Sequence, residues 1–283
     1  MDIPLEDQAT DLIAKAQRGL GLSDRALAEK SGVTASDLRG AKSAGSDPPD
    51  VAILNKLAAA LGLHAPSLVA SAQCAWQPQK AQPPATFAMF NSPFGDGMTV
   101  NSYLVWDAPG GVAVAFDTGT DASKMCATLR EQDLQLAAVF LTHTHHDHVE
   151  ALDDLLAAGG KETPVYVSQR EGGRGVQEIF DHAAFGFNGL QIEARLTRGH
   201  SPGGMTYAVT LAAVAEPRPA LAFVGDALFA GSQGGVDAPL YAEALRLNRE
   251  NILSLPDATI LCPGHGPLTT VSEEKAHNPF YAR

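Results

Sequence analysis

Thr142-His143-Thr144-His145-His146-Asp147-His148 packs four imidazoles and a carboxylate into six consecutive positions, His143 to His148. The run follows Leu136-Ala137-Ala138-Val139-Phe140-Leu141, which reads as a buried strand. Neutral imidazole is the commonest side-chain ligand for transition metals. A polar loop with Asp147 as a helix cap explains the aspartate but none of the histidines. The run therefore points to a metal site.

Its geometry supports that reading. On extended backbone, residues i and i+2 face the same way, so His143 and His145 can address one ion. Residues 149–158 have helical spacing and strong helix formers. Asp147 and His148 then stand where strand gives way to helix and can turn toward a second ion.

Three later positions share a setting. His200 lies in Thr197-Arg198-Gly199-His200-Ser201-Pro202-Gly203-Gly204. Asp226 closes Ala222-Phe223-Val224-Gly225-Asp226, and His265 lies in Leu261-Cys262-Pro263-Gly264-His265-Gly266-Pro267. Small or rigid neighbours place the backbone tightly and leave each polar group exposed. Beside the 143–148 run they read as further ligands.

A chain of 283 residues exceeds the usual single-domain size, so two domains are expected. The net charge of −12 gives no support for broad attraction to nucleic acid or an anionic membrane. Cys74, Cys126 and Cys262 are too few and too widely spaced for a disulfide framework or a thiolate zinc motif. No basic leader and no apolar run of about 18 residues is present. The expectation is a cytoplasmic protein with no membrane partner.

Residues 1–72 read as a separate helical unit. Leu12, Ile13, Ala16 and Leu20 mark one face of a first helix. Ser23 can cap a helix over 24–30, Ser31-Gly32-Val33 is a tight turn, and Thr34 can cap the next helix. Residues 51–61 and 66–72 supply two more. The segment Gly21-Leu22-Ser23-Asp24-Arg25-Ala26-Leu27-Ala28-Glu29-Lys30-Ser31-Gly32-Val33 resembles phage-repressor-type helix-turn-helix domains. That resemblance implies DNA contacts from Ser36, Asp37, Arg39 and Lys42. Residues 1–70 nevertheless hold seven basic and nine acidic side chains, a balance of −2, and phosphate contacts dominate DNA affinity. A bundle used for homodimerisation or docking is the competing expectation. Residues 73–85 form a Pro/Gln/Ala linker, and a second domain spans 86–283. There, strands are expected at 101–106, 112–116, 136–141, 165–168, 205–211, 220–224 and 258–261. Helices are expected at 122–132, 149–158, 176–183 and 240–254. This alternation is that of a layered α/β domain.

The ordered set His143, His145, Asp147, His148, His200, Asp226 and His265 resembles the metallo-β-lactamase superfamily, specifically its glyoxalase II-like hydrolases. Val100-Asn101-Ser102-Tyr103-Leu104-Val105, Phe116-Asp117-Thr118-Gly119 and Pro263-Gly264-His265-Gly266-Pro267-Leu268-Thr269-Thr270 extend the likeness across 86–283. The resemblance implies a four-layer αβ/βα sandwich with the site at one edge. It implies one ion on His143, His145 and His200, a second on Asp147, His148 and His265, and Asp226 bridging. Asp117 would hold a ligand histidine by its free N–H, and His146 would not ligate.

The implied chemistry is hydrolysis of a small acyl or thioester substrate, such as S-lactoylglutathione, by water activated on two divalent ions. Zinc is the first expectation, with iron or manganese as alternatives. Asp147 would help orient the water. Relatives usually carry arginine at the position of Gly235 and proline at 198. Arg198 or Arg170 is therefore the expected cationic contact to an acidic substrate. One-iron persulfide dioxygenases, lactonases and phosphodiesterases share the metal set. A metabolite-responsive DNA-binding regulator is the alternative of a different class.

Overall fold

The computed structural model describes residues 3–43, 49–95, 97–107, 111–173, 175–211 and 219–283. Five helices come first: α1 (Ala9–Gly19), α2 (Asp24–Ser31), α3 (Ala35–Ala41), α4 (Val51–Leu61) and α5 (Ala65–Ala72). The expected caps operate. Ser23 Oγ accepts from the Ala26 N–H at 3.2 Å. Thr34 and Asp37 form a reciprocal capping box at α3. Leu12, Ile13, Leu27, Leu38, Leu54, Leu57 and Leu68 are fully or almost fully buried. Leu20, expected on the same face, is 38% exposed. It is the C-cap of α1, where the helical stripe has already ended.

Among the described residues twelve strands follow, in two six-stranded sheets. The first contains β1 (Phe87–Phe94), β2 (Met98–Asp107), β3 (Val112–Phe116), β4 (Gln135–Phe140), β5 (Val165–Ser168) and β6 (Gln177–Ile179), paired in that order. The second contains β7 (Ala184–Phe187), β8 (Leu190–Leu196), β9 (Met205–Leu211), β10 (Pro219–Gly225), β11 (Ile260–Pro263) and β12 (Thr269–Thr270). Its strands also pair in chain order. The sheets meet over an aromatic core of Tyr103, Phe116, Phe140, Tyr207 and Phe223. Phe116 and Phe223 stack across it with centroids 3.7 Å apart.

Helices α6 (Ser123–Glu131) and α8 (Leu152–Gly159) cover the outer face of the first sheet through Met125, Leu129 and Leu155. Helix α9 (Ala238–Asn251) and the tail with α10 (Val271–His277) cover the second. The result is the expected αβ/βα sandwich. The five N-terminal helices join the layer on the second sheet. Leu12, Ile13 and Ala16 belong to one buried cluster with Val236, Tyr241 and Ala244. Gly19 makes this approach possible, because a Cβ there would lie 2.3 Å from the Tyr241 ring. The 73–85 segment is not free either. Trp76 stacks on His277 at 5.3 Å and donates to Glu273.

Two helical expectations need correction. The expected helix at 176–183 is the short strand β6 and a turn. Pairing with β5, which buries Ile179, outweighs local propensity. The expected helix at 149–158 is two pieces, α7 (His146–Val149) and α8, broken at Glu150 and Ala151. Strands β1, β7, β8 and β12 and helix α10 were not foreseen. In β8 the signal was present, since Leu190, Ile192 and Ala194 are buried while Gln191, Glu193 and Arg195 alternate outward. The β7–β8 turn is Asn188-Gly189, with Asn188 at φ 48°, a strong hairpin signature. Among the described residues no helix is long and apolar enough to cross a membrane.

Candidate metal centre

The seven side chains converge at one edge of the sandwich, beyond the ends of β4, β8, β10 and β11. His143 Nε2 and His200 Nε2 each lie 3.0 Å from His145 Nδ1. His265 Nε2 is 3.2 Å from Asp147 Oδ2. Asp226 stands between the two groups. Its Oδ2 is 3.4 Å from both His200 Nε2 and His265 Nε2, and its Oδ1 is 3.3 Å from His148 Nε2. Three sets of three donors thus overlap: His143, His145, His200; His143, His148, Asp226; and Asp147, His148, His265.

The outward-facing ring nitrogens are held. His148 Nδ1 donates to Asp117 Oδ2 at 2.9 Å. His265 Nδ1 donates to the Thr99 carbonyl at 2.7 Å, and His200 Nδ1 to the Gly235 carbonyl at 3.2 Å. These bonds fix the tautomers so that Nε2 faces the cluster. Asp117 itself sits at φ 55°, a costly conformation for a residue with a Cβ. Its carboxylate also accepts from the Thr142 N–H at 2.7 Å and hydroxyl at 2.8 Å. One strained residue therefore ties β3 to the start of the ligand run. His146 points away, exposed and 3.2 Å from Glu150.

The donor set fits divalent ions. Tetrahedral Zn–N bonds of about 2.0–2.1 Å place ligand atoms roughly 3.3–3.4 Å apart, close to the separations seen. His148 Nε2 and Asp226 Oδ1 are buried and make no hydrogen bond, a rare condition that a cation relieves. The electrostatics agree. Burial disfavours charge on His148, but Asp226 and Asp117 push it up to about 10. Burial likewise opposes His265, and Asp147 and Asp226 raise it to about 11. Burial would raise Asp226, yet His148 and His265 hold it well below the usual carboxylate range. Around the two carboxylates the pocket demands positive charge. On the other side burial, with His148 nearby, keeps His143 well below the usual imidazole range, and burial also lowers His200. Neutral imidazoles are the form that binds metal.

Other singled-out residues lie elsewhere. Arg198 makes a bidentate pair with Glu243 on α9, at 3.0 and 2.6 Å. Arg170 is exposed and lines a cavity of about 190 Å³ with Ile179, Phe180 and Met205. On α3, Ser36 and Arg39 are exposed and Asp37 is half-buried in its capping box. Lys42 is paired with Asp24 at 2.7 Å.

Sequence reasoning missed Glu171. It accepts from the Thr144 hydroxyl at 2.8 Å and the Gly203 N–H at 2.6 Å. It therefore clamps the loop of His143 and His145 to the loop of His200. It follows β5 with no motif around it, so no local signal marked it. Asn101 and Tyr103, inside a quoted segment, show their purpose here. Both donate to the Pro263 carbonyl, at 3.0 and 2.6 Å, and Asn101 also donates to Gly266, which anchors the His265 loop to β2.

Comparison with known proteins agrees with this geometry. The chain is 33% identical to the "Probable metallo-hydrolase YqgX" of Bacillus subtilis over 188 residues, covering 58% of this chain and 85% of that one. It is 30% identical to the "Hydroxyacylglutathione hydrolase GloC" of Haemophilus influenzae over 202 residues, covering 64% and 92%. Among solved structures, TTHA1623 in a di-iron-bound form superposes with a TM-score of 0.52 at 28% identity, covering 68% of this chain and 99% of that one. Residues 95–265 match the family model described as "Metallo-beta-lactamase superfamily", and the chain belongs to that superfamily.

Proposed function

We propose that the protein is a metal-dependent hydrolase of thioesters, with hydroxyacyl thioesters of glutathione as the substrate type. The carrying observation is the pair of donor groups, His143, His145, His200 and Asp147, His148, His265, with Asp226 between them. These residues would hold two divalent ions, zinc first, with iron the alternative that the di-iron neighbour brings forward. Such ions supply Lewis acidity, lowering the pKa of water toward 7 and polarising an acyl carbonyl.

The rest of the chemistry falls to the chain. Asp147 Oδ2, beside His265, orients the attacking water. Asp117, Thr99 and Gly235 keep the imidazoles aimed, so the site needs little reorganisation. A thiol is acidic enough, with a pKa of about 8.5, to leave without a strong acid beside it. The hydroxyacylglutathione hydrolase among the relatives supports the substrate type.

Elemental analysis of the reconstituted protein, run beside a panel of S-lactoylglutathione, a lactone, a phosphodiester and a persulfide, tests this. Two ions per chain and thiol release are expected. One iron per chain with oxygen consumption, or lactone or phosphodiester turnover without thiol release, would overturn the thioester reading.

A further inference from the structure

The N-terminal unit reaches the metal cleft along one continuous line. Pro4 and Glu6 lie over Gly266, where an added Cβ would meet the Glu6 nitrogen at 3.2 Å. Gly266 follows His265. Next along the rim, Asp7 accepts from the Ser232 hydroxyl, and Lys15 Nζ donates to the Gln233 carbonyl at 2.8 Å. Lys15 also lies 4.9 Å above the Phe229 ring, which itself meets His265 edge-on. Last, Arg18 Nε donates to Asp237 at 2.6 Å, and its Nη1 is 3.3 Å from where a Cβ on Gly235 would stand. The Gly235 carbonyl holds His200. Residues 4–18 therefore wall the cleft from the His265 side to the His200 side.

The wall's cations differ. Lys15 is four-fifths buried and already paired with Asp7. Arg18 keeps 59% of its side chain exposed and spends only its Nε edge on Asp237. Among the described residues its terminal nitrogens have no recorded hydrogen-bond acceptor. Asp237 orients the guanidinium, and Gly235 leaves open the space in front of it. Arg198, by contrast, is spent in both directions on Glu243.

We infer that the N-terminal helical unit is a wall of the active-site cleft, and that Arg18 selects substrates carrying an anionic arm, a carboxylate on the leaving thiol. This deepens the thioesterase reading and rests on it for the identity of the arm. Recognition of a carboxylate by an arginine fork is charge-assisted, and exposure screens it.

The test separates binding from turnover. Dissociation constants of N-acetylcysteine and N-acetylcysteamine, which differ by one carboxylate, are measured on metal-loaded protein by calorimetry. Wild type should favour N-acetylcysteine by about fivefold, in keeping with a partly exposed charged contact. Arg18→Met should abolish the preference and leave N-acetylcysteamine within about twofold of wild type. Asp237→Asn, which removes the neighbouring negative charge but keeps the orienting acceptor oxygen and the cation, should retain the preference. No preference in wild type, a preference that survives in Arg18→Met, or equal weakening of both thiols would overturn the inference. Turnover of S-lactoylglutathione is read separately. Its absence would remove the thioesterase reading and leave the thiol comparison standing.

Discussion

The loop after β4 brings His143, His145, Asp147 and His148 to the cleft within six residues, whereas the second sheet brings His200, Asp226 and His265 from three different loops. The first half is fixed by its own backbone and by two partners, Asp117, which holds Thr142 and His148 together, and Glu171, which holds Thr144. The second half has no such local economy. Asp226 and His200 depend on close approaches that only glycine permits. A Cβ on Gly264 would stand 2.1 Å from Asp226 Oδ1, and one on Gly234 would stand 2.1 Å from the Asp226 carbonyl and 2.8 Å from His200 Nδ1. A contiguous run can thus keep its geometry through local chain stiffness. A dispersed set must inherit its geometry from the sheet beneath it and from the absence of side chains around it.

The sharpest way to break this comparison is Asp226→Asn. If the contiguous half were sufficient, both ions would stay. The geometry predicts otherwise, because Asp226 is the one carboxylate that touches both donor groups. Loss of at least one ion per chain is expected in elemental analysis. Several kcal/mol of charge stabilisation would go with it, on the order of a thousandfold in kcat/KM. Retention of two ions with near-normal turnover would show that the second half is ornamental.

The same asymmetry explains what could be read from sequence. His143 to His148 announced themselves because ligands two residues apart on extended chain face one way. His200, Asp226 and His265 were legible through their small flanking residues and the ordered resemblance, since no periodicity links them. The central strands β3, β4 and β5 were legible as apolar runs because both faces are covered. β6 was misread because it is three residues long and is fixed by pairing with β5 rather than by local propensity. The structural roles of Glu171, Thr99 and Gly235 were invisible. Their contribution is a hydrogen bond to a residue far along the chain, and two of the three offer only a carbonyl.

Glu171 offers a second, smaller test. It bridges the halves by bonding to Thr144 on one side and Gly203 on the other. Glu171→Met keeps much of the shape but removes both acceptor oxygens, so the loop of His143 and His145 and the loop of His200 both lose this anchor. Outer partners of metal ligands typically contribute about 10–100-fold in affinity or activity. A drop in that range is expected, with weaker retention of one ion under chelator titration and the other unaffected. Equal weakening of both ions would mean that Glu171 supports the fold generally rather than the seam between the halves.

The smallest expected effect on turnover lies away from the ions, at Glu274, and asks whether the second half is also held from behind. Glu274 is fully buried and takes the Gly231 N–H, the Thr269 hydroxyl and the Asn278 amide. Asn278 in turn donates to the Ser232 carbonyl, so this cluster braces the loop that runs on from Asp226. Burial raises the Glu274 carboxyl from 4.5 to about 7, despite those three donors. A raised acid keeps its proton in the folded state while the unfolded chain loses it. Its contribution to stability is therefore complete below pH 4.5 and is lost as pH rises through about 7. For a fully buried group the swing is on the order of 3 kcal/mol. Glu274→Gln copies the protonated form. Its oxygen accepts from Asn278 and Gly231, while its amide donates to Thr269 Oγ1. Urea unfolding of both proteins across pH 4.5–7.5 isolates the group, because all other titrations are common to the pair. The wild-type curve should fall relative to the variant within that window and run parallel above it. Parallel curves throughout would mean that the carboxylate is ionised in place, and that the brace behind the dispersed ligands is a fixed ion rather than a proton-dependent one.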